Sequence, residues 1–265
     1  MTQDMAPPSG GVVSASLCAD AYVLALADPS SISALSWQVD QPVSAAPAWA
    51  RDLPMAWPSA ERLLELSPDR LVFGAGEGGR ASVLLSRAGS SSFELAGGDD
   101  FEAVRSNIRA LGVYLERRRE AANWIESLDL RLESLRRRTE RRGIAPRVVY
   151  LSSSGGSAGR GTYIDAAIEA AGGTNIIALD EGVGWTRSDP EFALTLEADL
   201  VLTSYFVDGF SSTFNRGSRH AAYRRFLSDT PRANIASGYW PCAGPLLIDA
   251  AEAIADALDD WAGRT

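Results

Sequence analysis

The sequence predicts an α/β protein of two similar halves, each built on a mostly parallel sheet, with one long helix joining them. Three observations carry that expectation. Strand-like and helical runs alternate through about the first hundred residues, as they do in parallel α/β folds. From Phe101 to Arg142 the pattern turns wholly helical and rich in Arg and Glu, and from Arg147 the alternation resumes.

Val12 to Ser16 is a short β-branched run and reads as a strand, Ala19 to Ala27 as the helix after it, with Cys18 at the turn between them. Ile32 to Trp37 is the second strand. Ser59 caps a short helix that runs to Leu66, because a Ser side chain accepts a bond from the free amides of a first turn. Arg70 to Phe73 is the third strand, and Gly74 to Gly79 ends it in a glycine-rich loop. A helix over Ala81 to Ala88 and a strand over Ser92 to Leu95 complete the first half.

In the connector, Leu111, Leu115, Trp124, Leu128, Leu132 and Leu135 recur at helical spacing. Its second part forms one helix of roughly 25 residues, about 35 to 40 Å long at 1.5 Å per residue. Gly143 and Pro146 end it. Strands follow at Arg147 to Leu151, Leu200 to Thr203 and Asn234 to Ser237, with helices at Tyr163 to Ala171, Ala221 to Leu227 and Leu246 to Trp261. The division expected is therefore a first lobe over 11–115, a backbone helix over 116–143 and a second lobe over 144–262.

The formal net charge of −9 argues against nucleic acid as a partner, because phosphate binding needs a basic face. All 25 basic residues are Arg. Apolar runs stay well short of the ~20 residues needed to span a bilayer. Met1 to Gly11 carries neither a basic nor an apolar segment of a secretory signal, so export requires a signal removed from the sequence as given. His220, the single histidine, has no second imidazole for a metal pair or spare triad candidates, and the glycine-rich stretches lack the P-loop Lys and the dinucleotide spacing. No catalytic residue and no protein-held metal are expected.

Ligands of open α/β sheets sit beyond the carboxyl ends of the strands. That rule selects Cys18 and Asp20 after the first strand, Trp37 after the second, and Glu77 and Arg80 after the third. In the second half it selects Arg160, Tyr205, Phe206, Tyr239, Trp240 and Cys242, all expected to face a groove between the lobes. Trp57 and Trp185 stand in loops and join the set, since stiff aromatic rings gain contact with a planar ligand at little entropic cost. Arg216 joins Arg80 and Arg160 as a fork of donors for carboxylate or catecholate oxygens. Cys18 and Cys242 each precede a helix, and bridging, cargo-metal contact and plain burial are all open to them.

A weak echo links the halves. Ser59-Ala60-Glu61 leads through Leu66 to Pro68-Asp69 and a strand, and Asp189-Pro190-Glu191 leads through Leu196 to Ala198-Asp199 and a strand. With Val12-Val13-Ser14, Leu66 to Val72, Gly159-Arg160-Gly161-Thr162 before Ala170 to Asn175, and Trp240 with Gly244-Pro245, the chain resembles the periplasmic binding proteins that serve vitamin B12, siderophore and haem importers. The resemblance runs from Val12 to Leu258. It implies the class III fold, two Rossmann-like lobes joined by a single long α-helix, and a monomeric, periplasmic, non-enzymatic protein.

The function implied is capture of a bulky metal chelate for an ABC importer, with cobalamin or a related corrinoid favoured over a ferric siderophore or haem. In members that bind vitamin B12, aromatics from both lobes hold the corrin, and Trp37 and Trp185 stand at positions similar to two of them, Trp240 near a third. Gly74 stands where such a member has an aromatic. Glu61 and Glu191 match the surface carboxylates that engage arginines of the importer's membrane subunits. A cytosolic ligand sensor or chaperone on the same fold is the alternative from another class.

Overall fold

The structure, a computed structural model, describes residues 10–152, 155–179, 182–187, 195–204 and 220–264. Residue contacts divide the chain into two compact units. Unit 1 holds residues 1–98, 102–126 and the short segment Ala243–Pro245, and unit 2 holds 99–101, 127–242 and 246–265.

Unit 1 opens with β1 (Val12–Ser14), which stops early because Ser16 is taken as the cap of α1 (Leu17–Leu26), its side chain accepting from the Ala19 amide. Then come β2 (Ile32–Ser36), a 3-10 turn at Trp37–Asp40, α2 (Ala48–Arg51), β3 (Met55–Ala56) and α3 (Ala60–Glu65). The order continues with β4 (Arg70–Phe73), α4 (Gly79–Arg87), β5 (Ser91–Glu94) and α5 (Phe101–Tyr114). Ser59 caps α3 as expected from the sequence. The five strands form one parallel sheet in the order β3-β2-β1-β4-β5. Val13, Ala34, Leu71 and Phe73 from the strands bury one core with Leu63 and Leu85 from the helices. Strands β1 and β2 are buried along their whole length, which fits a parallel sheet covered on both faces.

The helix α6 (Arg118–Arg142) is 25 residues long and continuous through the boundary at Glu126 and Ser127. Ala121, Leu128 and Leu135, seven apart, are its fully buried positions. The approach of α6 to α5 explains Gly112, where an added Cβ would lie 2.4 Å from that of Ala121.

Unit 2 continues with β6 (Arg147–Ser152), β7 (Gly156–Ala158), α7 (Tyr163–Ala170), β8 (Thr174–Asn175), α8 (Ile176–Leu179), β9 (Trp185–Arg187) and β10 (Leu200–Ser204). It closes with α9 (Ala221–Asp229), β11 (Arg232–Asn234) and α10 (Leu247–Ala262). Its main sheet is parallel, ordered β11-β10-β6-β8, and β7 and β9 pair antiparallel beside it. The last strand lies earlier than the sequence pattern suggests, because pairing of Leu202 with Ala233 and Thr203 with Asn234 sets its register. The Gly159-Arg160-Gly161-Thr162 motif is structural in this unit. Thr162 caps α7, and Asp165 accepts from the Gly161 amide and from Asn175 Nδ2.

An arginine ladder fastens α6 to α10. Arg131 reaches Asp249 at 2.8 Å and Glu252 at 2.6 Å, Arg138 reaches Asp256 and Asp259, and Arg142, whose side chain is 3% exposed, reaches Asp259 at 2.8 Å. Burial pushes the Asp259 carboxyl up, but hydrogen bonds from Arg138 and Arg142 more than offset it and hold it below the usual range. Arg131 does the same for Glu252. A depressed folded pKa contributes stability above the unfolded pKa and loses it as pH falls through the folded one. The Asp259 side chain is 41% exposed and its pairs are partly screened by solvent, so Asp259→Asn should cost about 1 kcal/mol at neutral pH. The difference from wild type should shrink as urea titrations are repeated at progressively more acid pH. A difference that grew on acidification would contradict the ladder.

Candidate functional site

In unit 1 the strand order reverses between β1 and β4, the switch point beyond whose carboxyl ends ligands of open sheets bind. What stands along that edge follows from register. Ser36 pairs with Ala56 in the parallel β2–β3 ladder, so residues 37 and 57 leave the sheet side by side at about the 4.8 Å strand spacing. Both are tryptophan. Their rings stack with centroids 5.5 Å apart and planes 5° from parallel, and Trp57 is 50% exposed. A near-parallel pair at that separation is offset, the favoured arrangement for indoles.

Beneath the pair, Asp20 lies in the first turn of α1 with its carboxylate turned inward, 2% exposed. It accepts from Ser36 N at 2.9 Å and from Ser36 Oγ at 2.6 Å. Burial raises its pKa most, the bonds from Ser14 and Ser36 act against that, and the negative charge of Glu77 raises it further. Glu77 is itself exposed and accepts from the Gly74 amide at 3.0 Å. A Cβ at Gly74 would stand 2.5 Å from Glu77 Oε2 and 2.8 Å from Ser16 Oγ, so a larger residue there would have to displace the Glu77 side chain from its bond to the Gly74 amide. Arg80 is exposed in the first turn of α4.

In unit 2, Trp185 opens β9 opposite Ala158, is 55% exposed, and meets Tyr163 edge-on at 5.2 Å. Arg160 donates through Nη2 to the Ala178 carbonyl at 2.7 Å. Tyr239 is half-buried in a 3-10 turn. Trp240 departs from expectation: it is 0% exposed, its Nε1 donates to Ser204 Oγ at 3.1 Å, and its ring meets Tyr150 edge-on. Its ring is packed as a core side chain here. Tyr205, Phe206, Arg216 and Glu191 lie outside the described residues.

Cys18 and Cys242 are both disulfide-bonded, which leaves neither a thiolate for a cargo metal. His220 caps α9, its Nδ1 accepting from the Ala222 amide. Among the described residues no group of three or more His, Cys, Asp or Glu is placed to hold a metal ion, and no helix is long and apolar enough to cross a membrane. Glu61 is exposed in the first turn of α3.

The sequence reading found both tryptophans and Asp20 but missed Ser36 and Gln38, which tie them together. The only signal was a Ser directly before a Trp at a strand end.

No curated protein matches the chain by sequence. Among solved structures, the periplasmic haem-binding protein HutB of Vibrio cholerae is 19% identical with a TM-score of 0.77, covering 94% of this chain and 98% of its own. The periplasmic haem-binding protein RhuT from Roseiflexus sp. RS-1, in its apo form, is 21% identical with a TM-score of 0.74, over 94% and 99%. The periplasmic vitamin B12 binding protein BtuF of Vibrio cholerae is 20% identical with a TM-score of 0.70, over 98% and 99%. At these identities they share the fold. A family model described as periplasmic binding protein matches residues 35–216, more than half of the sequence, and the chain therefore belongs to the periplasmic binding protein family.

Proposed function

We propose that the chain is the solute-binding component of an ABC importer and captures a bulky metal chelate, a corrinoid in preference to haem or a ferric siderophore. The observation that carries this is the exposed Trp37–Trp57 stack at the carboxyl edge of the first sheet. The outer face of a stacked indole pair is a flat apolar surface held stiff by the ring behind it, suited to the face or rim of a macrocycle.

The preference for a corrinoid rests on the metal. Haem in proteins takes His, Cys, Met or Tyr as an axial ligand. Here the one imidazole caps a helix and both cysteine sulfurs are in disulfide linkage, which leaves Met and Tyr side chains such as Met55 and Tyr239 as the ligands a haem iron would have to use. A corrinoid brings its own axial ligands and needs only shape and stacking from the protein. Family membership supports a periplasmic location and a permease partner.

Calorimetric titration with cyanocobalamin, haemin and a ferric hydroxamate tests the reading. Saturable one-to-one binding of cyanocobalamin, with the other two weaker, is expected. Tighter binding of haemin or the hydroxamate would replace the corrinoid, and binding of none of the three would remove all of them as cargo.

Glu61, with Glu191, is proposed to dock the permease by charge complementarity, which directs orientation more than it adds affinity. Glu61→Ala should cut transport by the cognate importer while cargo affinity stays within about two-fold, as expected of an exposed side chain away from the ligand. Normal transport by that variant would remove the docking role.

A further inference from the structure

We infer that Asp20 is the positioning residue of the aromatic platform, its buried carboxylate fixing the turn that holds Trp37 against Trp57; the inference rests on the reading of that stack as the ligand contact. The geometry is specific. Both carboxylate oxygens go to one residue, Oδ1 to the Ser36 amide and Oδ2 to the Ser36 hydroxyl. Holding the N–H and the O–H together sets the Ser36 peptide plane and its side-chain rotamer at once, and the next residue is Trp37.

The constraint closes into a ring. The Ser36 hydroxyl oxygen also accepts from the Gln38 amide at 3.3 Å, capping the 3-10 turn at Trp37–Asp40. Gln38 Oε1 in turn accepts from the Leu17 amide at 3.2 Å, at the start of the helix that carries Asp20. Trp37 therefore leaves the sheet from a turn anchored on both sides to α1. Trp57 needs no such device, because β3 and Pro58 already bracket it.

Chemistry favours an acid at position 20. A carboxylate bonds about twice as strongly as a neutral acceptor, and it stands at a helix N-terminus whose dipole supports it. That gain is set against real costs, since burial and the charge of Glu77 both raise its pKa. The two oxygens take the Ser36 amide and hydroxyl at once, which a neutral amide with one oxygen and one NH2 cannot repeat, and that fits a turn whose geometry has to be exact for the ring it carries.

The test reads the stack and the ligand separately. Stacked indoles give an exciton couplet in the far-UV circular dichroism, and Trp57→Phe identifies the part that belongs to this pair. Asp20→Ala should lose most of that couplet and weaken cyanocobalamin binding about ten-fold, the scale of one hydrogen bond to a charged group. Asp20→Asn, which keeps an acceptor for the Ser36 amide but turns an NH2 toward the hydroxyl, should restore only part of both. If Asp20→Ala does not fold, Ser36→Ala removes the hydroxyl partner alone and should give an intermediate loss of the couplet. An unchanged couplet in the folded variants overturns the positioning role whatever the affinity does. A lost couplet with unchanged affinity upholds the positioning role and overturns the ligand-contact reading of the stack.

Discussion

Trp57→Ala should lower cyanocobalamin affinity about 30-fold and leave the melting temperature within a few degrees of wild type; the expected loss of ~2 kcal/mol is that of an aromatic anchor at the centre of an interface. The two effects separate because of where the ring sits. Half of Trp57 faces solvent, so little core packing is lost with it. Trp37 is more deeply seated on its capped turn, and Trp37→Ala should weaken binding at least as much. The double variant should fall short of the sum, because rings in contact do not act independently. Calorimetry gives the affinities and a thermal melt gives the stability. Binding by the double variant within two-fold of wild type would place the cargo elsewhere.

Trp240→Ala has the opposite signature. Its ring is wholly buried beside Tyr150, and its Nε1 satisfies the Ser204 hydroxyl. Truncation leaves a large cavity and an unpaired hydroxyl, and should destabilise the protein by about 3–5 kcal/mol in urea titrations. Trp240→Phe should recover part of that loss, since it refills most of the volume without the N–H. The fraction of Trp240→Ala that remains folded should bind cyanocobalamin with near-native affinity. A stable Trp240→Ala variant with no affinity would return this residue to the ligand set.

These contrasting tryptophans mark what the sequence could and could not disclose. Alternation of strand and helix, the cap Ser59, and the long apolar stripe of α6 were legible because periodicity and capping are local properties. The rule that loops after strands carry ligands then selected Trp37 and Trp240 on equal terms. Only the fold separates them, because the hydroxyl that holds Trp240 comes from Ser204, 36 positions away in the chain.

Strand β3 escaped notice for a related reason. Two residues, Met55 and Ala56, are too few for a period to be read, and yet their pairing with Leu35 and Ser36 is what brings Trp57 alongside Trp37. Asp20 was read as a ligand residue beyond the carboxyl end of the first strand. Its partner Ser36 lies on a different element, and no local pattern joins them. The state of Cys18 and Cys242 was open for the same reason, since pairing depends on approach in space.

The central claim is that cargo lies on the Trp37–Trp57 stack, and hydroxyl-radical footprinting of the full chain with mass-spectrometric readout tests it most directly. With saturating cyanocobalamin, oxidation of Trp57 should fall several-fold, to the range of a buried ring, while Leu130, exposed on α6, should be oxidised as before. Bound cyanocobalamin with Trp57 oxidised at its free rate would contradict the account.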